Sequence, residues 1–342
     1  MAVNRKTKRI IWVVVIVLLA LLVAAIVAIK GKLNLIQYDD GETPNDVTIQ
    51  AAEEDDVALD LSGLDEVEAP QLPTQEIYSN QDVLNILLLG TDERGDEFSE
   101  NARSDSMLIL SLNRAKNTAK LISLERGMGV PILEGPYQGQ YDWLTHCFRY
   151  GGASLVMREV QTCFRVDVTH FIRVNFHAVV RIVDLLGGID LNLTQAEADY
   201  INQEHHDYNP NGQVQTVSPG ANHVNGATAL AYARCRKIDS NWQRVQRQQN
   251  VIQACANRLK GADLGTLNEL LNQVLPMVQT NFTQWEVARL MLSAPGFLGV
   301  QFERMAVPAA GTYGSMTGMG GRSMYAPDFA ENARLIREFL YG

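Results

Sequence analysis

The sequence of 342 residues lacks the short motifs that mark several large enzyme classes. No Gly-x-Ser-x-Gly, Ser-x-x-Lys, His-Glu-x-x-His or phosphate-loop pattern occurs, which argues against serine hydrolases, β-lactam targets, zinc proteases and nucleotide hydrolases. The formal net charge is −10, and no stripe of basic and aromatic residues is present. Nucleic acid is therefore not an expected partner.

Cysteine is scarce, and its four positions show no metal-ligand spacing. Cys163 and Cys255 are expected on apolar helix faces, where they serve as small hydrophobic residues. Cys235 lies between two arginines, whose positive charge would lower the pKa of its thiol, although no catalytic role is expected for it.

Charge is absent from residues 10–29. Twenty uncharged residues form ~30 Å of helix, which is enough to cross the hydrocarbon core of a membrane. Arg5, Lys6, Lys8 and Arg9 precede this run and predict a cytoplasmic tail (residues 1–9), with the rest of the chain outside the cell. The run is too long for a typical cleaved signal, so we expect a single transmembrane anchor; an unusual signal peptide is the alternative.

Positive charge is missing from residues 33–93, while thirteen acidic residues fall between Asp39 and Glu76. Such a composition buries too little apolar surface to form a core and is extended by self-repulsion. We therefore expect residues 30–76 to form a disordered acidic spacer, followed by an extracytoplasmic domain over residues 77–342.

The pattern within that domain predicts an α/β fold. Helical periodicity appears in four runs, and short β-branched runs alternate with them. Because the first strands appear to form hairpins, the sheet should be mixed and flanked by helices. The glycine-rich segment 311–321 is expected to be a surface loop, with a lid as the alternative. The helical runs are 153–164, 176–186, 285–293 and 329–339, and the β-branched runs are 169–174 and 189–193.

A basic cluster stands out in this acidic chain. It comprises Arg234, Arg236, Arg244, Arg247 and Gln248. The last three share one face near the start of a predicted helix, where the helix dipole disfavours cations. An anionic ligand such as phosphate would explain that placement; a solvated face paired with Asp or Glu would explain it equally well.

Two carboxylates and an arginine flank three predicted strands. Asp92 ends the first strand, Asp105 begins the second, and Arg126 follows the third. If these strands are successive antiparallel neighbours, all three residues lie at one sheet edge. Carboxylates close together need a cation between them, and their hard oxygens suit Mg²⁺ bridging phosphates, with Arg103 and Arg126 on the remaining phosphate oxygens. Alternatively, both aspartates are turn and cap residues.

The sequence resembles the LytR-CpsA-Psr family, membrane-anchored ligases of bacterial cell-wall glycopolymers. The resemblance spans roughly residues 85–261, with a weaker similarity over residues 327–341. Its motifs occur in order as Gly90-Thr-Asp92-x-Arg94, Arg103-Ser-Asp105, Ile122-Ser-x-x-Arg126, His146, Tyr150-Gly-Gly152, Val174-Asn-Phe176, Asp184-x-Leu-Gly-Gly-Ile-Asp190, His223-x-Asn-Gly-x-x-Ala-Leu-Ala-Tyr-Ala-Arg234-x-Arg236 and Arg244-x-x-Arg247-Gln248.

The resemblance implies a phosphotransferase that moves a glycopolymer, of teichoic acid or capsular polysaccharide type, from a polyprenyl-pyrophosphate carrier to peptidoglycan. It implies Mg²⁺ on Asp92 and Asp105, with Arg126 among the catalytic groups. The implied phosphate-binding set is Arg103, Arg126, Arg234, Arg236, Arg244, Arg247 and Gln248. Two rival functions remain, a pyrophosphatase that uses water as acceptor and a non-catalytic lipid-binding or scaffold protein of the cell envelope.

The sequence departs from the family pattern at two places. Where the family usually has Ser-Ile-Pro-Arg-Asp, this chain has Ser123-Leu-Glu-Arg-Gly127, so the acid after the arginine is missing. Glu125 should alternate to the opposite side of the strand and is not expected to replace it. Where many members have Lys-Ile-Asn-His, this chain has Trp143-Leu-Thr-His146, so a phosphate contact from that lysine is not expected.

Overall fold

The structure is a computed structural model. It describes residues 29–41, 59–91, 98, 104–204, 213–235, 238–239, 241–297 and 300–342, without the side chains of residues 105, 204 and 241.

A seven-stranded mixed sheet forms the centre of the domain, in the order β1-β10-β7-β2-β3-β4-β11. Its strands are β1 (Gln37–Tyr38), β2 (Val83–Thr91), β3 (Ser104–Asn113), β4 (Thr118–Leu124), β7 (Val168–Asn175), β10 (Val278–Thr280) and β11 (Glu303–Val307). Three hairpins lie outside it and pair β5 (Gly129–Pro131) with β6 (Tyr141–Trp143), β8 (Ile189–Leu193) with β9 (Gly220–Val224), and β12 (Tyr313–Thr317) with β13 (Ser323–Pro327).

Helices flank the sheet, as the sequence predicted. They are α1 (Leu144–Phe164), α2 (Phe176–Leu185), α3 (Gln195–Glu204), α4 (Gly226–Ala233), α5 (Asn241–Leu259), α6 (Leu264–Val274), α7 (Gln284–Ser293) and α8 (Phe329–Tyr341). Short 3₁₀ turns cover Leu275–Met277, Ala294–Phe297 and Met319–Gly321. The expected loop at 311–321 is wrong in part, because residues 313–317 form β12 and pair with β13.

The sheet has an apolar core on each face. On one face, β2, β3 and β4 pack against α1 and α8. On the other, β2, β3 and β7 pack against α7 and the segment around Leu33 and Ile36. A third cluster joins α3, α4 and α5 to the β8–β9 hairpin. Because β2 is covered on both faces, its sequence is a nearly continuous apolar run instead of an alternating one.

The chain enters the sheet directly after the predicted anchor. Residues 29–33 are helical, and Leu33 and Ile36 are only 6% and 7% exposed. Lys32 donates to the Asn268 side chain at 2.7 Å, and Gln37 then opens β1, which is parallel to β10. No helix in the described part of the chain is long and apolar enough to cross a membrane, and the predicted anchor, residues 10–29, lies outside the described residues except for its last position.

The C-terminal part of the expected spacer is packed on the domain. The Val67 amide donates to the Ser315 carbonyl and the Ser315 amide to the Asp65 carbonyl, both at 2.8 Å. The Tyr141 hydroxyl donates to the Pro70 carbonyl at 2.7 Å. The expectation of an unstructured spacer over residues 30–76 therefore fails for residues 30–41, which include β1, and for residues 59–76. In residues 59–76 the acidic side chains stay exposed, while the backbone forms hydrogen bonds that do not depend on charge.

Candidate active site

The predicted sheet edge is present. β2, β3 and β4 are successive antiparallel neighbours, and Thr91 at the end of β2 pairs with Ser104 at the start of β3. β4 ends at the same edge with Leu124, two residues before Arg126. The backbone thus brings the ends of all three strands together. Asp92, Arg103 and the side chain of Asp105 lie outside the described residues, so their convergence stays a prediction.

The first turn of α1 holds this edge together. The Thr145 hydroxyl donates to the Ser104 carbonyl at 2.8 Å, and the Thr145 amide donates to the Arg126 carbonyl at 3.2 Å. Thr145 is buried. Sequence reasoning assigned it no role, although it occupies the position where many family members have Asn, which was the available signal. It fixes the backbone on either side of the predicted carboxylate site.

Helix α5 supplies the basic wall of the site. Gln248 accepts a hydrogen bond from the Ser106 hydroxyl at 3.0 Å, and Gln249 donates to the Ser123 hydroxyl at 2.7 Å, so the helix is docked on β3 and β4. Arg244, one turn before Gln248, is 5% exposed. A narrow cleft results between helix and sheet, lined by Ser106, Met107, Leu124, Glu125, Arg126, Arg244, Val245 and Gln248.

Three predicted phosphate-binding residues therefore share this cleft, namely Arg126, Arg244 and Gln248. Arg234 lies nearby at the end of α4, and its guanidinium stacks over the Phe176 ring at 4.6 Å. Phe176 follows β7, whose last residue pairs with Thr91, so Arg234 belongs to the same edge. Arg236 lies outside the described residues.

Arg247 faces the protein interior. Its Nε donates to Glu197 Oε1 at 2.7 Å, its Nη2 contacts Asp239, and its Nη1 donates to the Cys235 carbonyl at 3.3 Å. The residue is 2% exposed. Of the two interpretations of the basic cluster, pairing with acidic groups is the one that Arg247 shows. A role for Arg247 in phosphate binding stays a prediction.

Cys235 does not have the lowered thiol pKa that its neighbours suggested. Burial raises its pKa to about 12, and although the charge of Arg247 acts in the opposite direction, Glu197 and Asp239 offset it. Charge pairing around Arg247 thus removes the effect that made Cys235 a candidate for reactivity. All four cysteines are free thiols.

A buried polar network anchors the start of α1 and was not predicted. Asp142 is fully buried and accepts hydrogen bonds from the His146 ring at 2.9 Å, from Arg322 Nε at 3.1 Å and from the Tyr150 hydroxyl. Burial acts to raise the pKa of Asp142, but the hydrogen bonds from His146, Tyr150 and the backbone amide of Trp143 lower it overall. The network connects α1 to the β12–β13 hairpin and keeps Thr145 in place at the site.

The model of the LytR_cpsA_psr family matches residues 47–337. The chain belongs to the LytR_cpsA_psr family. The match extends beyond residues 85–261, because it includes part of the acidic segment and most of helix α8.

Relatives within the LytR_cpsA_psr family share moderate identity with the chain. The polyisoprenyl-teichoic acid--peptidoglycan teichoic acid transferase TagU of Bacillus mycoides (strain KBAB4) is 31% identical over 211 residues, which cover 60% of this chain and 62% of TagU. The matched region thus spans less than two thirds of that relative's length.

Solved structures of similar fold support the mixed α/β architecture. Protein gbs0355 from Streptococcus agalactiae superposes with a TM-score of 0.62 at 24% identity, covering 76% of this chain and 88% of that one. TagT bound to LIIa-WTA gives a TM-score of 0.60 at 25% identity, covering 79% and 96%. Among the residues that the structure describes, no group of three or more His, Cys, Asp or Glu side chains could hold a metal ion.

Proposed function

We propose that this protein is a phosphotransferase that moves a glycopolymer of the teichoic acid or capsular type from a polyprenyl-pyrophosphate carrier to peptidoglycan. The observation that carries the proposal is the cleft in which Arg126, Arg244 and Gln248 meet the sheet edge expected to hold Asp92 and Asp105. Family membership and the activity named for TagU point to the same reaction.

The chemistry asks mainly for positioning and charge neutralisation. A hydroxyl oxygen of peptidoglycan forms a bond to the phosphorus nearer the glycan, and the bond from that phosphorus to the bridging oxygen breaks. The carrier leaves as polyprenyl phosphate, and the hydroxyl proton passes to a base or to solvent. Guanidinium groups at the cleft would hold the non-bridging oxygens through charge-assisted hydrogen bonds.

We further propose Mg²⁺ as the cofactor, held by Asp92 and Asp105. The backbone is compatible with this because Thr91 and Ser104, the residues directly before the two aspartates, are paired across β2 and β3. Carboxylate oxygens are the ligands that Mg²⁺ prefers. When bound, the ion would neutralise charge on the pyrophosphate.

The same proposal places the domain outside the cell on a single N-terminal anchor over residues 10–29, beside the bilayer that holds the carrier's prenyl chain. The direction of β1 fits this arrangement. β1 is parallel to β10, which is antiparallel to β7, so the chain before Gln37 leaves the sheet at the edge where β7 ends and where the candidate site lies.

The arginine cluster provides the test. Each charge-assisted phosphate contact is worth about 1.5 to 3 kcal/mol, so Arg126→Ala and Arg244→Ala should each weaken binding of a polyprenyl-pyrophosphate analogue at least about tenfold. Lysine in place of either arginine should restore little of the affinity, because the bidentate geometry is lost. Arg334→Ala, which removes an exposed arginine paired with Glu331 and Glu338 on α8, serves as the control and should bind normally.

Product analysis separates the rival functions. Full-length protein in detergent is supplied with a lipid-linked glycan, with and without peptidoglycan. Release of free phosphorylated glycan even when peptidoglycan is offered would identify a pyrophosphatase, and binding without turnover would identify a non-catalytic lipid-binding protein. Wild-type affinity in both alanine variants would remove the arginine cluster from the site.

A further inference from the structure

The cleft contains a carboxyl group for which the family pattern has no equivalent. Glu125 stands directly before Arg126 and is 1% exposed, yet it lines the cleft together with Arg126, Arg244 and Gln248. The same chain lacks the acid that usually follows the arginine, because that position is Gly127. One acid has been lost at this site, and another is present two residues earlier.

Strand alternation had suggested that Glu125 faces away from the cleft. The local backbone explains why it does not. β4 ends at Leu124, and the Met128 amide donates to the Glu125 carbonyl at 3.2 Å, so the chain turns immediately after the strand. Within this turn, the Gly127 amide donates to Glu125 Oε1 at 3.3 Å. The carboxyl group therefore lies against the residue from which the family's acid would project.

Glu125 shares its cleft with two cationic residues, Arg126 and Arg244. Burial has the largest effect and raises the pKa of Glu125 overall, although the Gly127 amide and the positive charges of Arg126 and Arg244 act in the opposite direction. Two guanidinium groups close together repel each other unless a negative charge or a ligand lies between them. In its ionised form, Glu125 would add such a negative charge to the cleft before pyrophosphate binds.

Stability alone does not explain why an acid occupies this position. A buried carboxyl group carries a desolvation cost that an amide or apolar residue of similar size would avoid. Functional sites commonly retain groups that are unfavourable for folding. A buried carboxyl group that is unfavourable for folding and lies in the basic cleft therefore indicates that Glu125 has a role in the site.

We propose that Glu125 is a positioning residue that takes the place of the acid missing at Gly127 and holds the Arg126 and Arg244 side chains in the geometry that binds pyrophosphate. The inference rests on the proposed function for its ligand class. It concerns a residue that acts through the arginines and does not itself receive the transferred group.

The test compares Glu125→Gln with the double variant Glu125→Gln/Gly127→Asp in the full-length protein. Glu125→Gln removes the charge but keeps the shape. It should lower affinity for inorganic pyrophosphate in the presence of Mg²⁺ several-fold and lower kcat/KM for lipid-linked glycan at least tenfold. Its thermal midpoint should equal or exceed that of the wild type, because the neutral amide is cheaper to bury. Glu303→Gln removes an exposed acid beside β4 and is the matched control.

The double variant should recover a large part of the affinity, because it returns an acid to the family position. Gly127 does not adopt a positive φ, so its backbone accepts a side chain. If the double variant does not fold, Glu125→Asp decides instead: it keeps the charge and should bind pyrophosphate more tightly than Glu125→Gln.

Two results would overturn the inference. One is wild-type pyrophosphate affinity and turnover in Glu125→Gln. The other is a loss of affinity that comes with a lower thermal midpoint and that neither acid variant restores, which would make the role of Glu125 purely structural. If wild-type protein binds pyrophosphate but transfers nothing, the proposed function fails. The pyrophosphate affinities of the wild type and the Glu125 variants then still test the role of Glu125.

Discussion

Replacing the buried Glu159 by Gln should make the protein more stable at neutral pH. Glu159 lies in α1 with no exposed surface, and its Oε1 accepts a hydrogen bond from the Leu133 amide at 2.9 Å. Burial raises its pKa from 4.5 to about 8; the Leu133 hydrogen bond and the charge of Arg158 oppose this shift, and the charge of Glu134 adds to it. Gln keeps the acceptor for Leu133 and has the shape of the neutral acid.

The magnitude follows from proton linkage. Because the folded pKa lies above the unfolded one, the unfolded chain loses this proton first, and stability falls as the pH rises from about 4.5 towards 8. Between pH 4.5 and pH 7, at 1.36 kcal/mol for each pH unit, the wild type loses about 3 kcal/mol through this group. Glu159→Gln should therefore match the wild type near pH 4.5 and exceed it by about 3 kcal/mol at pH 7.

Thermal unfolding of both proteins in the same detergent, followed across pH 4.5 to 8.5, measures the difference. Glu269→Gln, which removes an exposed carboxylate on α6, should change stability by less than about 0.5 kcal/mol at every pH. A difference between Glu159→Gln and wild type that stays constant from pH 5 to 8 would refute the assignment of Glu159 as a buried acid that is neutral at pH 7.

Asp92→Asn or Asp105→Asn should abolish Mg²⁺-dependent turnover in the folded protein, while the arginines still bind the lipid pyrophosphate. Parallel turnover and binding assays measure both effects, and full Mg²⁺-dependent activity in either variant would remove that residue from the site. Deleting residues 1–28 should leave a folded domain, whereas deleting residues 1–40 also removes β1 and the buried Leu33 and Ile36 and should lower the thermal midpoint or cause aggregation; identical melting curves would contradict the packing described for β1. Because burial raises the pKa of Cys235 to about 12, iodoacetamide at pH 8 should label it only after unfolding, and rapid labelling of native protein, detected by peptide mass spectrometry, would show that the thiol is accessible.

The parts of the fold that depend on local pattern were predictable from the sequence. The apolar runs of β2, β3 and β4 and the turn between the last two indicated the antiparallel order, and that order placed their ends at one edge. Helix α5 begins at Asn241, so Arg244, Arg247 and Gln248 lie near its start, as their spacing predicted. In these elements, neighbours in sequence are also neighbours in space.

Contacts between distant segments were not predictable. β1 has two residues, and its partner strand lies some 240 positions later. Arg322 reaches Asp142 across 180 positions. Periodicity put Arg244 and Arg247 on one helix face, but only Glu197 and Asp239, from other elements, determine that Arg247 points inward while Arg244 reaches the cleft. Sequence spacing identifies which residues can share a surface and leaves open which partner each one meets.

The attachment of β1 changes what the acidic segment can do. Gly41, three residues after β1, accepts a hydrogen bond from the Ser154 amide at 2.8 Å, and the carbonyl of Asp60 accepts one from the Tyr325 hydroxyl at 3.3 Å. Both ends of residues 42–58 are therefore fastened to the same domain. On the proposed membrane placement, the connection to the anchor therefore runs through the residues before β1 and not through residues 42–58. Lengthening it would leave the height of the site above the lipid headgroups unchanged, whereas the few residues between the anchor and β1 set that height.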